Sequence, residues 1–255
     1  MLVPACLAIA LLVAIGSRLA LRALIPDSER DAAHAVAAPL MPALGATFAI
    51  LVALTLANEA GYLSSAQQIV SNEAADSSRL AWAATMPGVQ RVPIQTALAR
   101  YLSATRAYEW HGANAANGND PATSRAIGRL ERVVRAQASR TELGTPSSTE
   151  LLGAVDALSS DRRARLVAAS REPPGLYVIT LAVSGAALIA NAAALTIRTR
   201  RRVALLIGGL TIVIGLSLAL LFALGTPWRG PIPVSGHPLD AVIHDLATGY
   251  FRAGG

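Results

Sequence analysis

The sequence predicts an all-α fold: an integral membrane protein with four transmembrane helices and an extracytoplasmic helical domain inserted between the second and third. Three observations predict it. Four stretches each supply about 20 mostly apolar residues, enough to cross the hydrocarbon core of a bilayer. The long segment between the second and third carries apolar residues at helical spacing. No stretch alternates apolar and polar residues long enough to make a strand. The chain is 53% hydrophobic and only 15% charged, against about a quarter charged in ordinary soluble domains.

The first span runs from Leu2 to about Leu24, with Arg18 and Arg22 placed near its end to snorkel to the headgroups. A cleaved signal peptide is the competing reading, but it expects positive charge before the apolar core rather than after it. The second span covers about Leu40 to Ala60, with Pro39 and Pro42 at its first turn, where a missing N–H costs little. The third covers about Leu176 to Ile197, after Pro173-Pro174-Gly175, and the fourth about Val203 to Leu224. Only Arg198 to Arg202 separates the last two, which therefore form a tight hairpin.

That basic linker sets the expected orientation, because short loops rich in Arg stay cytoplasmic. The first linker, Pro26 to Ala38, carries Arg30 behind Arg18 and Arg22 and reads the same way. Both termini and the long inserted segment then lie outside, since long segments translocate largely regardless of charge. The organisation is accordingly residues 1–60 for spans one and two, 61–174 for the extracytoplasmic domain, 175–224 for the hairpin of spans three and four, and 225–255 for an extracytoplasmic tail. The expected location is the bacterial plasma membrane.

Within the inserted domain, Leu63, Ala66, Ile69, Val70, Ala74, Ser77 and Leu80 share one helical face. Only Gly61 parts this segment from the second span, so one helix continues from about Leu40 to about Thr85 and stops at Met86-Pro87-Gly88. Ile94, Leu98, Tyr101, Thr105 and Tyr108 mark a second helix, and the polar stretch Asn114 to Asp120 a loop. Asp120-Pro121 is a good N-cap and first-turn pair for a third helix with Ile127, Leu130 and Val134 on one face. Ser147 to Glu150 has capping-box spacing for a fourth, running to about Leu166. The tail is rich in Pro and Gly to Gly236, and Pro238 then opens a short amphipathic helix with Leu239, Val242, Ile243 and Leu246 on one side. It either caps the domain or lies on the membrane surface.

All 22 basic residues are Arg. They form no extended basic face with interleaved aromatics, so nucleic acid is not an expected partner. The single cysteine, Cys6, excludes an internal disulfide and sits in an apolar run as a small hydrophobe. His34, His111, His237 and His244 show no metal-ligand spacing. No nucleophile elbow, zinc-protease helix or phosphate loop is present. The sequence therefore predicts no enzyme, no cofactor and no metal.

Polar groups inside spans are costly and often functional. Asn58 and Glu59 end the second span, where solvation at the interface is the plain reading of Glu59. Asn191 lies within the third span, with Thr180 and Ser184 a few turns earlier. It is a pore contact or an interhelical hydrogen bond, and bundle packing favours the hydrogen bond. Gly208, Thr211 and Gly215 give span four a small-residue edge suited to close packing. Glu73 reads as a solvated face or surface salt bridge, with a site on the stalk as the sharper alternative. Trp110 and Trp228 read as membrane-interface anchors, Trp228 with the better position.

Several of these residues resemble a known pattern. Pro227-Trp228-Arg229-Gly230 after the last span, Glu73-Ala74 in the stalk, Tyr101 with Glu109-Trp110, and Arg162, Arg163, Arg165 and Leu166 before the third span resemble motifs of the bestrophin-like domain family, a bacterial membrane family of unknown function. The family usually has Pro after the Glu-Trp pair; here the residue is His111. The resemblance runs from about Leu40 to Leu246 and implies kinship with bestrophin anion channels. It leaves two functional expectations: an oligomeric channel or transport subunit, or a structural or sensory membrane protein whose outer helices bind a partner or ligand. The expected surroundings are a lipid bilayer and further copies of the chain.

Overall fold

The computed structural model describes residues 2–110, 120–171, 174–196, 201–225, 228 and 232–252, and among these every regular element is a helix. In chain order they are α1 (Leu2–Leu24), α2 (Arg30–Ala83), α3 (Arg91–Tyr108), α4 (Pro121–Ala138), α5 (Thr145–Ser170), α6 (Gly175–Leu195), α7 (Arg201–Gly225) and α8 (His237–Thr248). Four helices are long and apolar enough to cross a membrane by length and composition. The chain divides into two compact units, residues 1–62 with 172–226, and residues 63–171 with 227–255.

The first unit holds α1, the N-terminal part of α2, α6 and α7. Phe48, Leu181, Leu188, Ile189, Ile214 and Leu221 form its centre. Gly215 lets α7 approach α1: a β-carbon there would lie 3.0 Å from Leu7 Cδ2. Gly185 does the same on α6, against Ile214 and Phe48. Gly208 has nothing near it, so the expected small-residue edge is in use only around Gly215 and Thr211. The outer faces stay apolar, with Leu12 69%, Leu54 61% and Val183 64% exposed. Uncovered apolar surface of this extent is the mark of helices that face lipid or neighbouring subunits.

The second span starts earlier than the sequence indicates. α2 begins at Arg30, which places Pro39 and Pro42 inside the helix rather than in its first turn. The Ala-rich stretch after Asp31 has strong helix propensity and carries the helix through. The linker shrinks to a single 3₁₀ turn, Asp27–Glu29, where Arg30 pairs with Asp27. The Arg198–Arg200 part of the other short linker lies outside the described residues. At its far end α2 is unbroken through Gly61, as expected, and stops at Ala83. Gly88 then takes φ +81°, a left-handed turn conformation natural to glycine.

The second unit comprises the C-terminal part of α2 with α3, α4, α5 and α8. Its core includes Leu80, Ile94, Leu98, Leu102, Leu130, Val134, Leu151, Leu158 and Leu239. Asp120 caps α4 by accepting from the N–H groups of Ala122 (2.7 Å) and Thr123 (3.2 Å). The capping box at Ser147 is not formed. α5 opens three residues earlier, at Thr145-Pro146 with Gly144 as N-cap, and Glu150 instead accepts two bonds from Arg79, at 2.6 and 2.9 Å. α8 lies on α3 and contributes Leu239 and Val242 to this core, which settles it as a cap on the unit.

Candidate functional site

The second unit encloses a charged cluster built by four elements. α2 supplies Glu73, α3 Tyr101, the residues just after α3 supply Glu109 and Trp110, and α5 supplies Arg162 and Arg165. Each lies on the buried face of its helix for a periodic reason. Glu73 follows Val70 by three residues and precedes Ser77 by four, and Tyr101 and Arg165 each stand seven residues after a core leucine or isoleucine, Ile94 and Leu158.

Arg165 is the centre. Its side chain is 0% exposed. Nε donates to Glu73 Oε2 at 2.6 Å and Nη2 donates to Glu109 Oε2 at 2.9 Å, so one guanidinium bridges two buried carboxylates. Arg162 Nη2 donates to the other oxygen of Glu109 at 2.6 Å. Tyr101 donates its hydroxyl to Glu73 Oε1. Two carboxylates and two guanidinium groups thus balance in charge, and the geometry is the forked one that makes arginine suited to buried carboxylates.

Aromatic rings close the cluster. The Arg165 guanidinium carbon lies 5.8 Å from the Trp110 ring centre and that of Arg106 lies 4.8 Å away. Trp228 meets Trp110 edge-on at 5.4 Å. Arg106 also holds Asp240 of α8 by two bonds, at 2.6 and 2.9 Å. Gly236 makes room for this pair, since a β-carbon there would collide with the Arg106 guanidinium.

Burial and neighbouring charge act on two members of the cluster and on one group beside it. Burial, reinforced by the charge of Glu73, raises the Tyr101 hydroxyl well above its ordinary value, so it stays a neutral donor. Burial by itself would lower the Arg165 guanidinium, but Glu73 and Glu109 outweigh it and hold it above its usual value. Next to the cluster, burial and the neighbouring Asp76 carboxyl push Asp161 up to about 6. The charged groups of the cluster bind one another. Among the described residues no three His, Cys, Asp or Glu side chains could hold a metal ion.

Two sequence expectations are corrected here. Glu73 is not a solvated or surface-paired group but 0% exposed and bonded to Tyr101 and Arg165. Trp110 and Trp228 are not interface anchors; both are buried against each other in the core of the second unit.

The bestrophin-like motifs scattered over the sequence thus converge: Glu73, Tyr101, Glu109, Trp110, Arg162, Arg165 and Trp228 belong to one cluster, and Arg163 alone of the arginine stretch faces solvent. Pro227, Gly230 and His111 lie outside the described residues. The profile of the Bestrophin-like domain matches residues 8–239. The chain belongs to the bestrophin-like domain family. No curated protein and no solved structure matches it.

The candidate residues of the spans do not join this cluster. Asn191 donates Nδ2 to the backbone carbonyl of Ala37 on α2 at 3.0 Å, with Met41 Sδ at 3.5 Å. The bond is interhelical, with a carbonyl rather than a Ser or Thr as partner. Thr180 returns its hydroxyl to Leu176 O at 2.8 Å, and Thr55 and Thr211 return theirs to Leu51 and Ile207. Asn58 is exposed. Glu59 corrects the interfacial reading: it is 2% exposed, on the same α2 face as Phe48 and Thr55.

Proposed function

We propose that the bestrophin-like chain is a subunit of an oligomeric ion channel or transport assembly in the bacterial plasma membrane. The observation that carries this reading is Glu59, a carboxylate buried at the end of the apolar part of α2. An ionisable side chain in such a position is expensive, and ion or substrate pathways are where it is retained. Family membership fits a channel or transport role. The hydroxyls of Thr55, Thr180 and Thr211 return to their own helices and Asn191 serves packing, so a polar lining requires several copies. The apolar flanks of α1, α2 and α6 supply surface for those neighbours. The role is non-enzymatic and calls for no cofactor.

The assembly is oriented with both termini, the inserted domain and the tail extracytoplasmic, which the arginines of the two short linkers support. Single cysteines at Ser124 and Thr199 in a Cys6→Ser background test it with an impermeant thiol reagent on intact cells. Labelling at 124 alone agrees; labelling at 199 alone refutes the orientation. The function itself is tested by the mass of the purified protein in lipid discs, followed by ion flux from liposomes. The expected result is a mass of several subunits with measurable flux; a monomer, or an oligomer without flux for any of the common inorganic ions, refutes it. A second reading, a sensory membrane protein whose domain binds a ligand, is favoured by an arginine-walled groove in the second unit.

A further inference from the structure

The groove lies between α3 and α8 and has a volume of about 720 Å³, within the range of small-molecule sites. Arg91 and Arg100 rise from α3, and Arg252 from the segment that follows α8. Val92, Ile243 and Leu246 give the same groove an apolar side. No acidic residue lines it, and none of the three arginines is in an ion pair with a described carboxylate. Elsewhere in this unit Arg79, Arg106, Arg162 and Arg165 each have a carboxylate partner. The groove thus gathers three arginines with no described carboxylate partner beside an apolar wall.

Two further features favour binding. Gly249 ends α8 at φ +78°, and a β-carbon there would collide with the Arg252 guanidinium, so the turn seats Arg252 in the groove. A smaller depression of about 250 Å³ adjoins on the other side of Arg100, walled by Arg125 and Arg129 over an alanine floor. Arg100 therefore stands between the two depressions, with Arg91 and Arg252 in the larger and Arg125 and Arg129 in the smaller. Guanidinium groups recognise carboxylates and phosphates by forked hydrogen bonds, and exposed Val92 with half-buried Leu246 favours a ligand with a hydrocarbon part.

We propose that this groove binds a soluble amphipathic anion, a carboxylate or phosphate ester joined to an apolar body. The site is independent of ion conduction, so its test does not depend on flux.

The test uses the full chain in phosphatidylcholine discs, titrated calorimetrically with octyl phosphate, inorganic phosphate and octanol, with empty discs as the baseline. Octyl phosphate is expected to bind at least about tenfold more tightly than either half-probe, because each contributes only one kind of contact. Arg100→Gln with Arg252→Gln is expected to weaken octyl phosphate by tenfold or more, and Arg163→Gln, outside the groove, to leave it unchanged. Val92→Glu, at an exposed position, adds a repelling charge without opening a cavity and is expected to weaken binding likewise. Absence of binding above empty discs overturns the proposal. So does inorganic phosphate binding as tightly as octyl phosphate, or binding unaltered in both the arginine double variant and Val92→Glu. Loss of octyl phosphate binding in discs doped with phosphatidic acid overturns the soluble-ligand assignment in favour of a membrane lipid.

Discussion

Arg165→Met is the sharpest perturbation of the charged cluster, since methionine keeps much of the side-chain length and removes every donor. Glu73 loses a 2.6 Å bond and Glu109 a 2.9 Å bond. Both carboxylates stay buried, Glu73 with the Tyr101 hydroxyl and Glu109 with Arg162. Breaking a buried ion pair by removing one partner costs about 3–5 kcal/mol, because the remaining charge is stranded. The surviving partners argue for that range rather than twice it. Against a typical domain stability of about 5–15 kcal/mol, the loss is large. Trp82, Trp110 and Trp228 are the chain's three tryptophans, and all lie in the second unit, so tryptophan fluorescence during urea titration reads this unit selectively. Adding Glu73→Gln to Arg165→Met is expected to restore about 1–3 kcal/mol as a coupling energy. A loss below about 1 kcal/mol, or a double variant no more stable than the single, refutes the account of the cluster.

Further predictions concern separate groups. Asp161 is raised from 3.8 to about 6, so its protonated form favours folding: this contribution is present below pH 3.8 and is lost as pH rises through about 6. Asp161→Asn is expected to flatten the stability of the second unit over that window, and a pH profile parallel to that of the parent contradicts it. Asn191→Leu is expected to lower stability by about 0.6–2 kcal/mol, the range for hydrogen bonds between membrane helices, and to leave ion flux intact; flux that disappears in the folded variant makes Asn191 a pore residue. Gly236→Ala is expected to lower the melting temperature by displacing Arg106 from Asp240, and an unchanged melt shows that the pair adds nothing.

Much of the helical layout was legible because long elements announce themselves by composition and period. The first span, the unbroken course of α2 through Gly61, the Asp120-Pro121 start of α4 and the amphipathic face of α8 all follow from local rules. The start of α2 escapes a local reading because Pro39 and Pro42 look like first-turn residues, whereas the helix-favouring alanines upstream carry the helix through them. The cluster was half legible. Its members stand out as motif residues, and Glu73, though left off the apolar face that includes Val70 and Ser77, falls on it by helical period. Treating a glutamate as solvated by default hid the fact that its counter-charge, Arg165, arrives from 92 residues away. Arg106, Asp240 and the groove arginines gave no signal at all, since their juxtaposition depends on α8 folding back onto α3.

Ion flux from liposomes at matched incorporation, compared between the parent chain and Glu59→Gln, tests the central claim most directly. The account predicts flux in the parent and a marked change in rate or ion selectivity in the folded, equally oligomeric variant. Flux indistinguishable between the two, or a parent that carries none, contradicts it.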